Sequence, residues 1–585
     1  MDAALTPNSG RESLKKIAWA VLIVLALYVC YFSHLGGIGL VGPDEPRYAW
    51  IARAMAESGD WVTPRLYGQP WFEKPVLYYW GAALSFKIFG VTDAAARFPS
   101  AFAALFATLA AAWFALRIAG RDAARCVLVL LPTTIGMIGF SHAATPDMLF
   151  SATITLAMVC AAYALTLIST TTIYPSGQRV EAPGNPAAQF SVDPPDAIHS
   201  NPSPQHLPFS LALFGFFLGA AVLAKGPAAV ILAGGAILPW AFFTNRWRDV
   251  LRLFHPIAIA AVLLTALPWY VLCSHRNPTF FHVFIVEHNF ARYLTPQFQH
   301  IQPFWFYIPI TFLALLPWTF WLGWFARREA RTANESQRNQ IIFISGWALF
   351  PVLFFSISQS KLPGYILPAV PALAVLLSIA VTRSLKSSSR FAGTVCAAVG
   401  FFLAAFACWM AVAAANHRQS KGLNWTVEVG STLIVLFVVF ASVGGLVICA
   451  ASLVRRPGIS LVSTVIVALI LLPLGYVALD KLDPQISARK AALQIGAERA
   501  SIVYSFKLQR GSQYQLNYYL HHEIPEWTPA TPGHALVITS EKNLPELKTS
   551  AQIISVLWDR SSQVEILEVV PLPRDAAGGQ TRQEK

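Results

Sequence analysis

Charge is scarce in this sequence. Of its 585 residues 12% are charged and 55% are hydrophobic, whereas about 25% of the residues of an ordinary globular protein are charged. This composition excludes an ordinary soluble domain and predicts a polytopic membrane protein. The net charge of +13 would indicate a nucleic-acid ligand in a soluble protein. Here the basic residues collect between apolar runs, as Lys and Arg do on the cytoplasmic side of membranes, so no nucleic-acid partner is expected.

Paired cysteines and a signal-peptide cleavage site are also absent. The seven cysteines include no CxxC pair and lie within or at the ends of apolar runs, which predicts neither a disulfide framework nor a cysteine metal site. The first apolar run, 15–32, has the basic flank of a signal peptide but no small-x-small motif before the next polar stretch. It therefore predicts an uncleaved first membrane span.

Long apolar runs dominate the rest of the chain. A span needs roughly 20 mainly apolar residues, and the sequence offers about thirteen such runs. They are 14–33, 98–118, 122–141, 147–168, 208–225, 227–244, 253–273, 303–325, 340–358, 363–383, 391–414, 429–453 and 458–479. The run 76–89 is too short and too aromatic for a span, so a helix lying at the membrane interface is expected there. With a cytoplasmic N-terminus, the basic clusters all fall on one side, which the positive-inside rule makes cytoplasmic.

These patterns divide the chain into three parts. A transmembrane domain is predicted for residues 1–480, including a first extracytoplasmic (periplasmic) loop with interfacial helices, 42–97. It also includes a flexible cytoplasmic loop, 169–207, which is rich in Pro, Ser, Thr, Asn and Gln without periodicity. A small extracytoplasmic α/β domain follows at 481–572, and a disordered tail at 573–585. In the α/β domain, ASIVYSF, HALVITS and VEILEVV predict strands and SARKAALQIGAERA predicts a helix.

Ionisable residues next to the apolar runs gather at one side of the membrane. An ionised side chain costs at least a few kcal/mol at the bilayer centre, so its position is informative. At the extracytoplasmic ends of the predicted spans these side chains predict a polar cavity lined by carboxylates and cations. The residues are Asp44, Glu45, Arg47, Glu73, Lys74, Asp147, Lys225, Glu287, His288, Arg292 and Lys361, with Tyr365 close to the last.

Each of these residues also has a structural interpretation. Asp44 and Glu45 lie between two prolines ahead of a predicted helix, where acidic residues gain a few tenths to about 1 kcal/mol from the helix dipole; the same holds for Asp147 after Pro146. Lys74 would pair with a phosphate as a point charge or extend to lipid headgroups. Arg292 has the same two interpretations, and Lys361 with Tyr365 would serve as an interfacial anchor.

A divalent metal is the least specific of the candidate ligands. Glu73 with Glu287 or His288 would supply the oxygen and nitrogen ligands of a zinc-like site. The EH dipeptide has no metal-ligand spacing, so the alternative is a protein without a metal.

Several motifs taken together resemble a known family. GPDEPRYAWIARAMAESGDW, PWFEKPVLYYW, AKGP, HNFARYL followed by QPFWFYIP, and FFSISQSKLPGYILPAVP resemble the lipid-linked aminoarabinose transferases of Gram-negative bacteria. More broadly, the chain is similar to the protein O-mannosyltransferases and to the GT-C class of membrane glycosyltransferases. The resemblance covers residues 10–380 in order and is faint after 390.

The resemblance implies a GT-C-type α-helical membrane enzyme. It would move a sugar, aminoarabinose-like or a hexose, from a polyprenyl phosphate donor such as undecaprenyl phosphate to a lipid A-type or other extracytoplasmic glycan or protein acceptor. The enzyme would lie in the bacterial inner membrane as a monomer, with its active site on the periplasmic side. Displacement by a single carboxylate-assisted attack would invert the anomeric carbon.

The resemblance also assigns roles to residues. Asp44 is implied as the catalytic-site aspartate, and Glu73 as a metal ligand whose partner is Glu287 or His288. Position adds Asp147 and Glu45 as further catalytic carboxylates. The implied donor-phosphate contacts are Lys74, Arg292 and Tyr365, with Lys225, Lys361 and Arg47 as further cations.

Two rival functions come from other classes. A transporter or flippase of lipid-linked sugars would place its charges near the bilayer midplane and would show paired repeats, whereas here the charges lie at one surface and no repeat is visible. A structural protein whose outer domain binds a partner would leave the acidic pair unexplained.

For a transferase, a hydroxyl acceptor would need Asp44 as general base. A phosphate acceptor would instead need Asp44 to orient it or to stabilise positive charge on the sugar.

Overall fold

A computed structural model describes most of the chain. The described residues are 7–165, 207–295, 301–322, 335–386, 390–417, 429–499, 503–558 and 564–572. The predicted tail 573–585 and the predicted loop 169–207, apart from its last residue, lie outside them.

Ten helices in the described part of the chain are long and apolar enough to cross a membrane. They are Ser13–Phe32, Asp93–Ala119, Pro146–Ala164, Leu207–Lys225, Pro256–Arg276, Glu335–Ile357, Pro363–Leu385, Gly393–Met410, Ser431–Leu453 and Pro457–Ile486. The helices Arg121–Leu130 and Ile135–Ser141 form an apolar pair bent by 59°, either a broken span or a re-entrant loop. Shorter apolar helices, Ala228–Thr244 and Phe304–Ala314, occupy the predicted positions of two more spans. The protein is therefore a multi-pass membrane protein, and ten of the predicted spans have a helix of spanning length at their place.

The helix Pro363–Leu385 is the most enclosed of the candidate spans, with 94% of its apolar window buried. Small side chains allow the neighbouring helices Asp93–Ala119 and Pro146–Ala164 to approach closely, since the buried residues of the first are largely alanine and those of the second include five alanines. These packed helices form a rigid frame for the groups at their ends.

A cap of short elements follows the first span. The helix Asp44–Ser58 begins beside Pro46, as prolines favour in the first turn, and ends at Gly59 with φ 73°. A two-stranded hairpin follows, with β1 at Arg65–Leu66 and β2 at Gln69–Pro70. The helix Leu77–Phe89 has 13 residues, fewer than the roughly 20 that a span needs.

The C-terminal part contains a four-stranded sheet in the order β3-β4-β6-β5. Its strands are β3 Val503–Ser505, β4 Ala535–Thr539, β5 Ala551–Trp558 and β6 Glu565–Pro571. β3 is parallel to β4, while β6 is antiparallel to β4 and β5. β3 and β4 lie within segments predicted as strands, and β6 overlaps the third predicted segment and ends one residue beyond it.

Helices cover the sheet and reach the cap. They are Arg489–Arg499, Arg510–Leu520 and Leu544–Ser550. The second of these packs against Asp44–Ser58, so the C-terminal part contacts the cap directly.

Candidate active site

Local backbone features bring three charged or polar residues, Asp147, Lys225 and Tyr365, to the same end of the helical frame. Pro146 occupies the first turn of its helix and places Asp147 there. Gly226 has φ +81° and follows the last helical residue, Lys225. Pro363 opens a tight turn that carries Tyr365. A Cβ on Gly364 would lie 2.6 Å from Asp147 Oδ1, so only glycine allows this turn to pack against the carboxylate.

Glu73 lies at the centre of a group of cations. Its Oε2 is 2.9 Å from Arg47 Nη2, and its Oε1 is 3.5 Å from Arg292 Nη1 and 3.9 Å from Lys74 Nζ. Burial alone would raise the pKa of Glu73, but Lys74, Arg47 and Arg292 outweigh it and lower the pKa to about 2. Glu73 is therefore an anion that holds three cations together.

Lys74 is the cation of this group that lies furthest from Glu73. Burial and the nearby Arg292 lower its pKa to about 8, while Glu73 opposes the change. An ammonium group in this state gains from a further anion, because the added negative charge offsets the effects of burial and of Arg292 on its pKa. The surroundings of Lys74 therefore favour binding of an anionic ligand.

Asp147 and Lys225 form the second pair of the site. Lys225 donates a hydrogen bond from Nζ to Asp147 Oδ1. The same Nζ lies 4.8 Å from the centroid of the Tyr365 ring and 5.4 Å from that of Phe150, both within cation–π range. Arg292 is within hydrogen-bonding reach of Tyr365, so Tyr365 links the two groups of charges.

A cavity of about 370 Å³ opens between these groups. Its polar end carries Lys74, Lys225 and Arg292, which we call the cation cluster, together with His288 and Tyr365. Burial lowers the pKa of His288, so this side chain is neutral at neutral pH. The walls are mainly apolar and include Pro227, Ala228, Ile231, Phe290, Leu294, Phe354 and Phe355. Such a cavity fits an amphiphile with an anionic head and an apolar tail.

Asp44 lies beyond Glu73, at the start of the cap helix. Arg47 pairs with Asp44 and with Glu73, and its guanidinium lies 5.6 Å from the ring centroids of Trp71 and Tyr514. Asp44 is 47% exposed whereas Arg47 is 3% exposed. Asp44 is thus open to a ligand, and the predicted phosphate contact Arg47 is instead a buried bridge between two carboxylates.

Glu45 has a structural role in place of the predicted catalytic one. Its two oxygens accept hydrogen bonds from Arg97 Nε and Nη2 at 3.1 and 2.7 Å and from the backbone amides of Val41 and Ala144. The side chain is buried. All its strong acceptor positions are used to join three segments, so we exclude Glu45 from the catalytic residues.

The predicted metal ligands are not grouped as a metal site in the described part of the chain. Glu287 is 48% exposed and pairs with His282 at 3.2 Å, and Glu73 is surrounded by cations that repel a divalent metal. Among the residues that the structure describes, no three His, Cys, Asp or Glu side chains come close enough to share an ion. This donor set does not fit a zinc-like ion at Glu73, and His288 lines the cavity beside Glu73 instead.

Lys361 also differs from its prediction. Its Nζ donates to the carbonyl of Ser358, within a buried turn. It stabilises the turn behind Ser358 and Ser360, which line the cavity.

Sequence reasoning missed Arg97, Asp483, Arg489 and Tyr519, which form a buried network around Glu45 and the loop before Asp44. Arg97 lies in the first turns of an apolar span, where an ionisable residue is costly. That cost is the signal that would have identified it.

Comparison with known proteins supports the resemblance. The model of the dolichyl-phosphate-mannose-protein mannosyltransferase family matches residues 17–172. The undecaprenyl phosphate-alpha-4-amino-4-deoxy-L-arabinose arabinosyl transferase of Enterobacter sp. (strain 638) is 31% identical over 398 residues, which cover 66% of this chain and 65% of the relative. The protein of the same name from Edwardsiella ictaluri is 33% identical over 374 residues, covering 63% and 60%. The matched region spans less than two thirds of either relative.

A solved structure extends the likeness to nearly the whole chain. The crystal structure of ArnT from Cupriavidus metallidurans bound to undecaprenyl phosphate has a TM-score of 0.71 and 22% identity, and the match covers 96% of this chain and 99% of that one. This protein therefore has the same fold, an α-helical polytopic membrane fold of the GT-C type, as the sequence predicted.

Proposed function

We propose that this protein is a membrane glycosyltransferase that moves a sugar from a polyprenyl phosphate donor to a lipid A-type or other extracytoplasmic acceptor. The observation that carries the proposal is the cavity that combines the cation cluster with apolar walls. A phosphate head would bind Lys74, Lys225 and Arg292, and a polyprenyl chain would lie along the apolar side. Similarity to aminoarabinose transferases supports an aminoarabinose-like sugar, and the mannosyltransferase family match makes a hexose the alternative.

The charges of the site suit a departing phosphate. Arg47, Lys74, Lys225 and Arg292 face the carboxylates of Asp44, Glu73 and Asp147, so four cations meet three anions and one positive charge is in excess. As the bond from the anomeric carbon to the phosphate oxygen breaks, its electron pair stays on the phosphate. The cation cluster then binds the phosphate more strongly than in the intact donor, which lowers the barrier.

Asp44 would act at the sugar. It lies at the end of the series Asp44–Arg47–Glu73, and Glu73 contacts the cation cluster, so a sugar attached to the bound phosphate would extend towards it. With a hydroxyl acceptor, the acceptor oxygen bonds to the anomeric carbon and its proton moves to Asp44. With a phosphate acceptor, Asp44 orients the acceptor or stabilises positive charge on the sugar. A single displacement inverts the anomeric carbon.

Asp147 has a supporting role in this scheme. Its carboxylate pairs with Lys225 and so fixes that cation towards the phosphate. The basic connections between spans support a location in the bacterial inner membrane with the site on the periplasmic face. The enzyme would act as a monomer.

Transfer by the purified protein tests the proposal. The protein in lipid nanodiscs receives undecaprenyl phosphate carrying radiolabelled aminoarabinose or mannose, with lipid A or a Ser/Thr-rich peptide as acceptor. We expect transfer from one donor, and a loss of about 10- to 100-fold in kcat/KM for Arg292→Ala, since hydrogen bonds to charged groups contribute about 1.5–3 kcal/mol. The control is Lys87→Ala, at an exposed lysine of the interfacial helix.

Either of two results would contradict the proposal. One is an absence of transfer from every polyprenyl phosphate sugar. The other is an equal effect of Arg292→Ala and Lys87→Ala. If transfer is found, mass spectrometry of lipid A, glycans and glycoproteins from a deletion strain would identify both substrates by the missing sugar.

A further inference from the structure

The loop that leads to Asp44 is held by side chains rather than by its own backbone. This linking loop, residues 33–43, has almost no regular structure, so its backbone polar groups need partners elsewhere. Side chains bind five carbonyls and three amides between Leu35 and Val41. The position of the loop therefore depends on where those side chains come from.

Half of these contacts come from Arg97 and Glu45, in the N-terminal part of the chain. Arg97 donates to the carbonyls of Leu35, Ile38 and Gly39 at 2.7–2.9 Å. Glu45 accepts from the amide of Val41 at 2.8 Å. Arg97 and Glu45 also pair with each other, so they form one buried unit beneath the loop.

The other half come from the C-terminal part of the chain. Arg489 donates to the carbonyls of Gly36 and Gly37 at 2.9 and 2.6 Å. Asp483 accepts from the amide of Gly39 at 2.7 Å, and the hydroxyl of Tyr519 accepts from the amide of Leu40 at 2.6 Å. These three residues therefore bind the loop between Gly36 and Leu40.

The three C-terminal side chains are also joined to each other. Arg489 contacts Asp483 at 2.9 Å and Asp93 at 3.0 Å, and Tyr519 donates to Asp93 at 2.9 Å. Asp483 is buried. A charged network that is satisfied on every side is rigid, because moving one member leaves others unpaired.

The backbone of the loop lies directly against these residues. A Cβ added to Gly39 would be 2.5 Å from Ser487 Oγ and 2.8 Å from the Tyr519 hydroxyl. A Cβ on Gly37 would be 2.5 Å from Asp480 Oδ1. Both glycines are thus needed so that the loop can approach the C-terminal residues at hydrogen-bonding distance.

We propose that Tyr519 and Arg489 are positioning residues of the transferase: by fixing the linking loop they fix Asp44 against the donor sugar. This inference rests on the proposed function, in which Asp44 acts on the sugar. Transfer rates are sensitive to such placement, since an error of about 1 Å can cost on the order of 100-fold. Neither residue lines the cavity, so donor binding does not depend on them.

The test compares two neighbouring tyrosines. Tyr519→Phe deletes the hydroxyl that joins Leu40 to Asp93 and keeps the ring. Tyr518→Phe is the matched control, because the Tyr518 hydroxyl is buried without a hydrogen-bond partner in the described part of the chain. We expect Tyr519→Phe to lower kcat on the order of tenfold, with the KM for the donor and the thermal shift by undecaprenyl phosphate unchanged. Tyr518→Phe should match the wild type.

Hydrogen exchange supplies a second readout. The amides of residues 39–41 should exchange at least severalfold faster in Tyr519→Phe than in Tyr518→Phe. An unchanged kcat, or a loss confined to KM, would overturn the inference while the proposed function stands. If the wild type transfers no sugar, the proposed function and the catalytic half of the inference both fail. The exchange rates alone then decide whether Tyr519 holds the loop.

Discussion

Replacing Lys74 by methionine should stabilise the ligand-free protein while weakening its binding of phosphate. Burial and Arg292 lower the pKa of Lys74 from 10.5 to about 8. Since each pKa unit corresponds to 1.36 kcal/mol, keeping this ammonium charged at neutral pH costs the fold about 3 kcal/mol. The side chain is only 16% exposed, so solvent screening removes little of that cost. Methionine has a similar length and no charge, and Glu73 keeps Arg47 and Arg292 as partners.

The sign of the pH dependence follows from the direction of the change. A lowered lysine pKa means that the folded state disfavours the proton, so the cost is fully present below pH 8. It disappears as the pH rises from about 8 to about 10.5, where the unfolded chain also loses the proton. The advantage of Lys74→Met should therefore be greatest at pH 7 and shrink over this range. Because a bound phosphate favours the ammonium form, donor binding above pH 8 should take up a proton.

Thermal unfolding in detergent measures both effects. Wild type, Lys74→Met and the control Lys87→Met are compared at pH 7 and pH 10, with and without undecaprenyl phosphate. We expect a higher Tm for Lys74→Met at pH 7 without ligand. The affinity for undecaprenyl phosphate, obtained from the dependence of Tm on ligand concentration, should be at least tenfold weaker, because a hydrogen bond to a charged group is lost. A lower Tm at pH 7, or an unchanged response to the ligand, would refute the reasoning.

Four further changes test other parts of the site. Asp44→Asn should lower transfer by about 10²–10⁴-fold and leave binding of undecaprenyl phosphate intact; normal turnover of a radiolabelled donor would remove Asp44 from the mechanism. Glu45→Gln should destabilise the fold by on the order of 3–5 kcal/mol, because it breaks a buried ion pair, and an unchanged Tm would contradict the structural role. Glu73→Gln should leave the metal content found by elemental analysis unchanged, and a metal lost only from this variant would restore the metal prediction. Gln69→Cys, at the exposed hairpin turn, should react with an impermeant thiol reagent from the periplasmic side; labelling only after the inner membrane is opened would reverse the proposed orientation.

The membrane architecture was largely predictable, because a bilayer accepts few kinds of structure. Backbone groups in lipid must be satisfied within a helix or a closed barrel, so long apolar runs translate directly into helices. Lys74, Lys225 and Arg292 could also be identified from the sequence as candidate site residues, since charged residues beside spans are rare and costly. The structure brings these three residues into one cavity.

The different roles of adjacent residues with similar chemistry could not be predicted from the sequence. Asp44 and Glu45 are both acidic and both lie in the first turn of one helix. One residue rotates a side chain by about 100° around a helix, and this turns Glu45 towards Arg97 and leaves Asp44 exposed. The partner that decides between them is 52 residues away in the chain, where local pattern carries no information. The same holds for Arg47, whose role is set by Glu73.

The C-terminal part was predictable where the sequence has buried apolar strands and unpredictable where tertiary contacts decide. β4 is buried at all five positions and gives a clear apolar run. β5 is an edge strand with register irregularities, which disturb a period-two pattern. The helix Arg510–Leu520 has the sequence RGSQYQLNYYL, whose residues are mostly mediocre helix formers. Packing against the sheet and the cap stabilises it instead.

The contacts of the linking loop have a consequence for the biosynthesis of the protein. Leu40 and its partner Tyr519 are 479 residues apart. At synthesis rates of about 5–20 residues per second, roughly half a minute or more passes between the appearance of the two residues. During that time the first spans are made, but the amide of Leu40 and the carbonyls of Gly36 and Gly37 lack their final partners. A nascent or truncated chain therefore holds every residue of the cation cluster before Asp44 is fixed, so the site can mature only after the C-terminal part has been made.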